Sequence, residues 1–388
     1  MKNKSLVSKN IQSIPYSGIR KFFNIANEIE GVISLGVGEP DFDTPWTARE
    51  RAIYTLEKGK TTYSANAGLL ELREEIAKYM KNTLNLKYSP KDEILVTVGA
   101  SEGIDLVFRA ILEQGDEVLV VEPCFVSYKP CITMCGGVPI VIETKAENNF
   151  KLMPEEILEK ITDKTKAILI SYPNNPTGAI MEKEDLEKIA KVLKEKDIFV
   201  ISDEIYSELT YGEKKHYSIA QIEGMQDRTL VINGFSKSFA MTGWRLGFAV
   251  GNKEIIPAMT KIHQYIIMCA PTVSQYAGID ALRHCLSNVE KMRKEYDMRR
   301  KFMLNGFKNM GIECFEAKGA FYLFPCIKKF NMTSDEFCEK LVYEEKVAVV
   351  PGTAFGECGQ GFIRCSYAYS IDEIKEALSR IESFIKKL

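Results

Sequence analysis

Ile94-Leu95-Val96-Thr97-Val98-Gly99-Ala100-Ser101, continuing through a helix-periodic stretch to Leu112, is the segment that decides the fold. A short run of mostly branched apolar residues ends in a glycine turn and passes directly into a helix. The pattern recurs along the chain. Val118 to Glu122, Lys166 to Ser171, Ile198 to Ser202, Thr229 to Asn233 and Leu246 to Val250 read as strands, and Glu182 to Lys196 reads as a helix between two of them. Strands alternating with helices predict an α/β fold in which a mainly parallel sheet is covered by helices on both faces. In such a sheet the ligand belongs at the carboxyl ends of the strands.

After about Asn288 the texture changes. A long charged helix through Asn309 is followed by short strands at Ala320 to Phe324, Val347 to Val350 and Phe362 to Ser366, with helices between them and at the end. This predicts a smaller α+β domain. The first 45 residues are irregular, with Pro and Gly gathered around Gly36 to Pro45, and are expected to pack on it. The expected organisation is therefore a large domain over 46–287 and a small one over 288–388 joined by 1–45. A chain of 388 residues with 45% hydrophobic composition supports that much core.

Composition excludes several functions. The 51 basic and 53 acidic residues give a formal charge of −2 with no long basic block, so no nucleic-acid footprint is indicated. No segment approaches the ~18 apolar residues of a membrane span, and the amino-terminal lysines precede no apolar stretch of signal length. A cytoplasmic protein with small-molecule ligands is expected. The ten cysteines include no CxxC pair, and the three histidines, His216, His263 and His284, have no metal-binding spacing. Free thiols, no metal and no histidine-based triad are the corresponding expectations.

Chemistry concentrates at the predicted strand ends. Lys237 follows the apolar segment Leu230 to Phe235, and a lysine there is either a solvated surface residue or a desolvated amine able to attack a carbonyl. Ser236 precedes it, and Arg245 lies eight residues on, where a planar guanidinium can grip phosphate oxygens in pairs. Amine plus phosphate clamp points to a phosphorylated aldehyde, with pyridoxal 5′-phosphate as the candidate cofactor. Asp203 ends the strand Ile198 to Ser202, as a helix cap or as the carboxylate that keeps a pyridinium nitrogen protonated. Tyr206, three residues on, packs in the core or donates to a phenolic oxygen. Asn175 lies in the Pro-rich turn Ser171 to Gly178, and Gly99-Ala100-Ser101 is either a plain capped turn or a phosphate cradle. Phe125, past another strand end, packs in the core or stacks on a flat ring. Arg364 interrupts the apolar strand Phe362 to Ser366; its charge requires an acceptor, either an internal acid or a substrate α-carboxylate.

In this order and combination the segments resemble the fold-type I, class I pyridoxal-phosphate-dependent aminotransferases over essentially the whole chain. The motifs are Gly38-Glu39-Pro40-Asp41-Phe42-Asp43-Thr44-Pro45, Asn175-Pro176-Thr177-Gly178, Ser202-Asp203-Glu204-Ile205-Tyr206, the run around Lys237, and Gly319-Ala320-Phe321-Tyr322. The resemblance is strongest to microbial aromatic and N-acetyl-diaminopimelate aminotransferases. Gly18-Ile19-Arg20-Lys21-Phe22 and His263-Gln264-Tyr265 are similar to the latter.

The resemblance implies a seven-stranded large-domain sheet. It implies that Lys237 forms the internal aldimine and then carries the proton between substrate and cofactor. Asp203 pairs with the ring nitrogen, Asn175 and Tyr206 face the phenolic oxygen, Phe125 stacks on the ring, and Gly99, Ala100, Ser101, Ser236 and Arg245 hold the phosphate. Arg364, Asn175 and the Gly38 backbone take the substrate α-carboxylate. Tyr63 reaches a neighbouring subunit's phosphate, which implies a homodimer with shared sites. The expected reaction is ping-pong transamination of an L-amino acid with a 2-oxo acid such as 2-oxoglutarate. Phe125 stands where many members carry a tyrosine or tryptophan, and Ser101 stands where some aspartate-preferring members carry a lysine. The apolar segment Ile14, Tyr16 and Ile19 is expected to cover the pocket, favouring aromatic or long acylated donors. The same fold and cofactor serve carbon–sulfur β-lyases and carboxycyclopropane-type synthases, so these are alternatives. A pyridoxal-binding regulator would carry a DNA-binding domain; about 90 residues precede the first large-domain strand, with no basic recognition helix among them.

Overall fold

The computed structural model describes residues 5–213 and 215–388. The side chains of Lys21, Phe23, Asn24, Ala26 and Asn27 lie outside that description. So do residues 1–4, where the stretch read for a targeting signal begins. Among the described residues twelve strands form three sheets.

The central sheet contains β2 (Ile94–Thr97), β3 (Glu117–Glu122), β4 (Val138–Glu143), β5 (Thr165–Ser171), β6 (Phe199–Asp203), β7 (Thr229–Gly234) and β8 (Gly247–Val250), in the order β2-β8-β7-β6-β5-β3-β4. Only β8 runs antiparallel to its neighbours. The expected seven-stranded, mainly parallel sheet is therefore present. One of its strands, β4, escaped the reading of apolar runs. It is a half-exposed edge strand containing Pro139, which weakens a strand signal.

Alternate residues of the strands supply two buried faces. Leu95, Val118, Val120, Leu169, Ile201 and Ile232 pack on one side, and Leu119, Val121, Ile168, Ile170 and Val200 on the other. Two buried faces explain why the strands read as continuous apolar runs instead of alternating ones. The helix Gly99–Ile111 lies on the first face and buries Ile104, Val107 and Phe108. Gly103 permits its close approach, since an added Cβ would stand 3.3 Å from Ile232 of β7.

The chain leaves β3 for the edge strand β4 and then crosses back to β5 on the other side of β3. That reversal opens a crevice at the carboxyl ends of β3 and β5, the usual ligand position in an open α/β sheet. Register aligns Ser171 of β5 with Asp203 of β6, and Asp203 with Ile232 of β7. The residues that follow these strands are thereby gathered at one edge.

Elsewhere β1 (Ile33–Ser34) pairs in parallel with β10 (Val347–Ala348). β9 (Tyr322–Leu323), β11 (Val350–Pro351) and β12 (Ile363–Ser366) form an antiparallel sheet in the order β11-β12-β9. The charged helix Leu286–Asn309 and the carboxyl-terminal helix Ile371–Lys387 pack with them through Tyr296, Met303, Phe307, Leu378 and Phe384. Among the described residues no helix is long and apolar enough to cross a membrane.

Candidate active site

A cavity of about 600 Å³ opens at the carboxyl edge of the central sheet. Its lining includes Gly38, Ala100, Ser101, Phe125, Asn175, Asp203, Tyr206, Ser236, Lys237, Arg245 and Arg364. Gly99 adjoins it through Arg245. Of the residues expected to hold cofactor or substrate, Tyr63 stands apart, 80% exposed on the surface of the single chain.

Lys237 lies in the turn just after β7, and its Nζ donates to the Gly38 carbonyl at 2.6 Å. The cavity leaves the side chain partly accessible, yet the protein atoms around Nζ desolvate it. Burial is the main cause that lowers its pKa to about 8; Arg364 and Arg245 push the same way, against Glu39 and Asp203. The surface-lysine alternative is thus removed.

Asp203 is the last residue of β6 and is 6% exposed. Tyr128 donates its hydroxyl to Oδ2 at 2.7 Å, and the Ile205 amide donates to Oδ1 at 3.2 Å. Burial outweighs these two bonds and raises the carboxyl pKa to about 6. No helix starts here, so the carboxylate closes a local turn and caps nothing.

Arg364, on β12, is 2% exposed and donates to Asn175 Oδ1 at 2.9 Å and to the Gly36 carbonyl at 2.5 Å. Its guanidinium lies 4.4 Å from the ring centre of Tyr322 and 4.7 Å from that of Phe355. Its Nε is buried without a partner. Among the described residues no acid pairs with it, contrary to the internal salt-bridge alternative. A buried cation facing only neutral oxygens is costly unless an anion arrives.

Neighbouring turns are held rigidly. Asn174 Oδ1 accepts the Thr177 amide and hydroxyl, at 3.1 and 2.7 Å, which fixes the turn presenting Asn175. Tyr206 shares a 2.8 Å hydrogen bond with Tyr322, and burial holds its hydroxyl well above the ordinary tyrosine range. Gly38 must be glycine, because a Cβ would sit 2.6 Å from the Tyr322 hydroxyl. Phe125 meets Tyr128 edge-on, with ring centres 5.8 Å apart. Gly99 has φ +76°, and a Cβ there would lie 2.6 Å from Arg245 Nη2. Arg245 itself holds a left-handed φ of 51° and donates to the Thr242 carbonyl at 2.9 Å. An arginine in that conformation, pressed against the glycine that opens a helix, forms a cradle shaped for an anion.

Tyr128 and Tyr322 were not selected from the sequence. Tyr322 was visible only as part of the Gly319 to Tyr322 motif, and Tyr128 resembles any aromatic following a strand. Of the three residues expected over the pocket, Ile19 lines it, whereas Ile14 does not and Tyr16 is 99% exposed. A helix begins at Gly18, which turns Ile19 inward and leaves Tyr16 on the preceding loop.

A desolvated amine, a buried carboxylate and a cationic cradle around one cavity are the parts that a phosphorylated aldehyde with a basic ring nitrogen requires. The site and the fold together define a pyridoxal-phosphate enzyme. The sequence pattern of the family described as aminotransferase class I and II matches residues 30–381. A putative aminotransferase of Bacillus subtilis, YugH, is 51% identical over 383 residues, covering 99% of each chain. An aspartate aminotransferase of Pyrococcus abyssi is 47% identical over 98% of each. The crystal structure of an aromatic aminotransferase from Pyrococcus horikoshii superposes with a TM-score of 0.91 at 45% identity, covering 94% of this chain and 99% of that one. The chain belongs to the class I and II aminotransferases, a pyridoxal-phosphate-dependent family, and is a transaminase acting on amino and 2-oxo acids.

Proposed function

We propose that this enzyme transfers the amino group of an L-amino acid with an aromatic or long side chain to a 2-oxo acid such as 2-oxoglutarate, by a ping-pong route. Bound pyridoxal 5′-phosphate supplies the aldehyde and the electron-accepting ring. In this reading the Ala100 and Ser101 turn, Ser236 and Arg245 grip the phosphate beside Gly99, and ionised Asp203, oriented by Tyr128, holds a proton on the ring nitrogen. Asn175 and Tyr206 face the phenolic oxygen, and Phe125 covers the ring. Lys237 Nζ, once free of the Gly38 carbonyl, would carry the proton between the substrate α-carbon and the cofactor. Arg364, with Asn175 beside it and the Gly38 backbone opposite, binds the α-carboxylate. The unpaired, buried Arg364 is the observation that carries this reading, since it lacks only an anion.

Donor preference follows from the remaining lining. Ile19, Val37, Ile104 and Ile205 are apolar, while Phe125, Lys237, Arg245 and Arg364 already have tasks. Ser101 offers no charge to a second carboxylate, and Glu39 in the same lining repels one. Burying a phenylalanine-sized side chain is worth about 1.5–3 kcal/mol, roughly 10- to 150-fold in affinity. Purified protein screened with the twenty amino acids against 2-oxoglutarate tests this. A kcat/KM for phenylalanine at least about tenfold above that for aspartate is expected, and a ratio favouring aspartate would overturn the apolar-pocket reading alone.

A cytoplasmic homodimer with Tyr63 completing the neighbour's phosphate site belongs to the same proposal, as does the division into 46–287 and 288–388 with 1–45. The exposed Tyr63 supports the first. Ten free thiols fit a reducing compartment. The separate sheets support the division, since all seven strands of the central sheet lie within 46–287 and β1, β9, β10, β11 and β12 lie outside it.

A further inference from the structure

Glu102 occupies the first turn of helix Gly99–Ile111, one residue beyond Ser101. Its Oε2 accepts the Val98 amide at 2.5 Å, and its Oε1 lies 2.8 Å from Nδ1 of His263 on helix Ile255–Ile266. A carboxylate only accepts, so Nδ1 carries the proton that joins the pair. His263 is fully buried, and its Nε2 has no hydrogen-bond partner. An apolar side chain at that position would avoid an unsatisfied polar atom, so the core gives up stability to keep this imidazole. None of the chemistry proposed above uses it.

Its location suggests the use. Val98 is the residue from which β2 turns into the helix, and Gly99 follows with φ +76°. The Thr97 hydroxyl donates to the Gly99 carbonyl at 2.9 Å, which holds the turn from the strand side. Glu102 holds it from the helix side by engaging the Val98 amide, and His263 fixes the carboxylate from a second helix. The amides at the start of the helix have no partner within it and are left to face an anion. Glu102 itself is absent from the cavity lining, whereas Ser101 is part of it, so the pair pulls the negative charge behind the turn and away from the ligand.

We propose that Glu102 and His263 are positioning residues for the phosphate cradle, locking the Val98–Ser101 turn in its anion-binding shape before cofactor binds. This rests on the reading that residues 99–101 and Arg245 hold the cofactor phosphate. Preorganisation of this kind acts on affinity for the phosphate group and not for the ring.

The test titrates cofactor-free wild type, Glu102→Ala, Glu102→Gln and His263→Leu with pyridoxal 5′-phosphate and, separately, with pyridoxal, which lacks the phosphate. Melting temperatures are recorded alongside. Glu102→Ala is expected to weaken pyridoxal 5′-phosphate about tenfold, as for loss of a capping carboxylate, and pyridoxal by less than about twofold. Glu102→Gln, which keeps an acceptor for the Val98 amide, recovers most of the loss. His263→Leu loses phosphate-dependent affinity without a lower melting temperature. Equal losses for both ligands, or none for the phosphorylated one, would overturn the proposal. Should Glu102→Ala fail to fold, the other two variants carry the same comparison. Arg245→Gln separates the layers: if it weakens pyridoxal 5′-phosphate while the Glu102 and His263 variants do not, only this proposal fails. If it leaves that affinity unchanged, the phosphate-site reading beneath it fails.

Discussion

Replacing Asp203 by asparagine should stabilise the cofactor-free protein while disabling the enzyme. Burial raises the Asp203 pKa from 3.8 to about 6, so the fold prefers the protonated acid. For an acid whose folded pKa is raised, stability is greatest below the unfolded pKa and is lost as pH climbs through the folded one. At about 1.36 kcal/mol per pH unit, the penalty is about 1 kcal/mol at pH 4.5 and about 3 kcal/mol at pH 8. An asparagine can keep the Tyr128 hydroxyl bond but has one acceptor oxygen, so the Ile205 amide loses its partner at a cost of about 1 kcal/mol. The net gain at pH 8 is therefore about 2 kcal/mol. The assay is urea unfolding of both cofactor-free proteins at pH 4.5 and pH 8. The variant's advantage should grow by about 2 kcal/mol between the two. With cofactor bound the order should reverse, since only the carboxylate pairs with a protonated ring nitrogen. A difference that does not change with pH, or a variant less stable at pH 8, would refute the burial argument.

Two further substitutions separate roles within the site. Arg364→Ala should raise KM for every amino donor together, a loss of about 2–5 kcal/mol in kcat/KM, because all donors share the α-carboxylate; a large folding defect with normal KM would return Arg364 to a structural role. Lys237→Ala should abolish steady-state transamination while leaving phosphate-anchored cofactor binding partly intact, and turnover above about 5% of wild type would remove Lys237 from proton transfer.

The large sheet was legible because most of its strands are buried on both faces and therefore appear as apolar runs, from Ile94 to Val250. β4 was not, because Pro139 and its half-exposed edge position erase that signal. The antiparallel direction of β8 was equally invisible, since a run of apolar residues carries no direction. Asp203, Asn175, Phe125 and Lys237 could be picked out because each follows or ends a strand whose carboxyl edge faces the crevice. Tyr128 could not, as its partner Asp203 lies 75 residues away. The opposing wall was harder still. Lys237 and Arg364, 127 residues apart by number in the chain, both donate to carbonyls of the 36–38 segment, and nothing local marks those carbonyls as acceptors.

The most direct test of the proposed chemistry is the isolated half-reaction. Cofactor-loaded enzyme is mixed with excess L-phenylalanine in the absence of any 2-oxo acid, and the products are counted. Ping-pong transamination predicts one equivalent of phenylpyruvate per active site, no free ammonia, and no further product until 2-oxoglutarate is added. Continuous release of ammonia, or no phenylpyruvate before the acceptor is present, would contradict it.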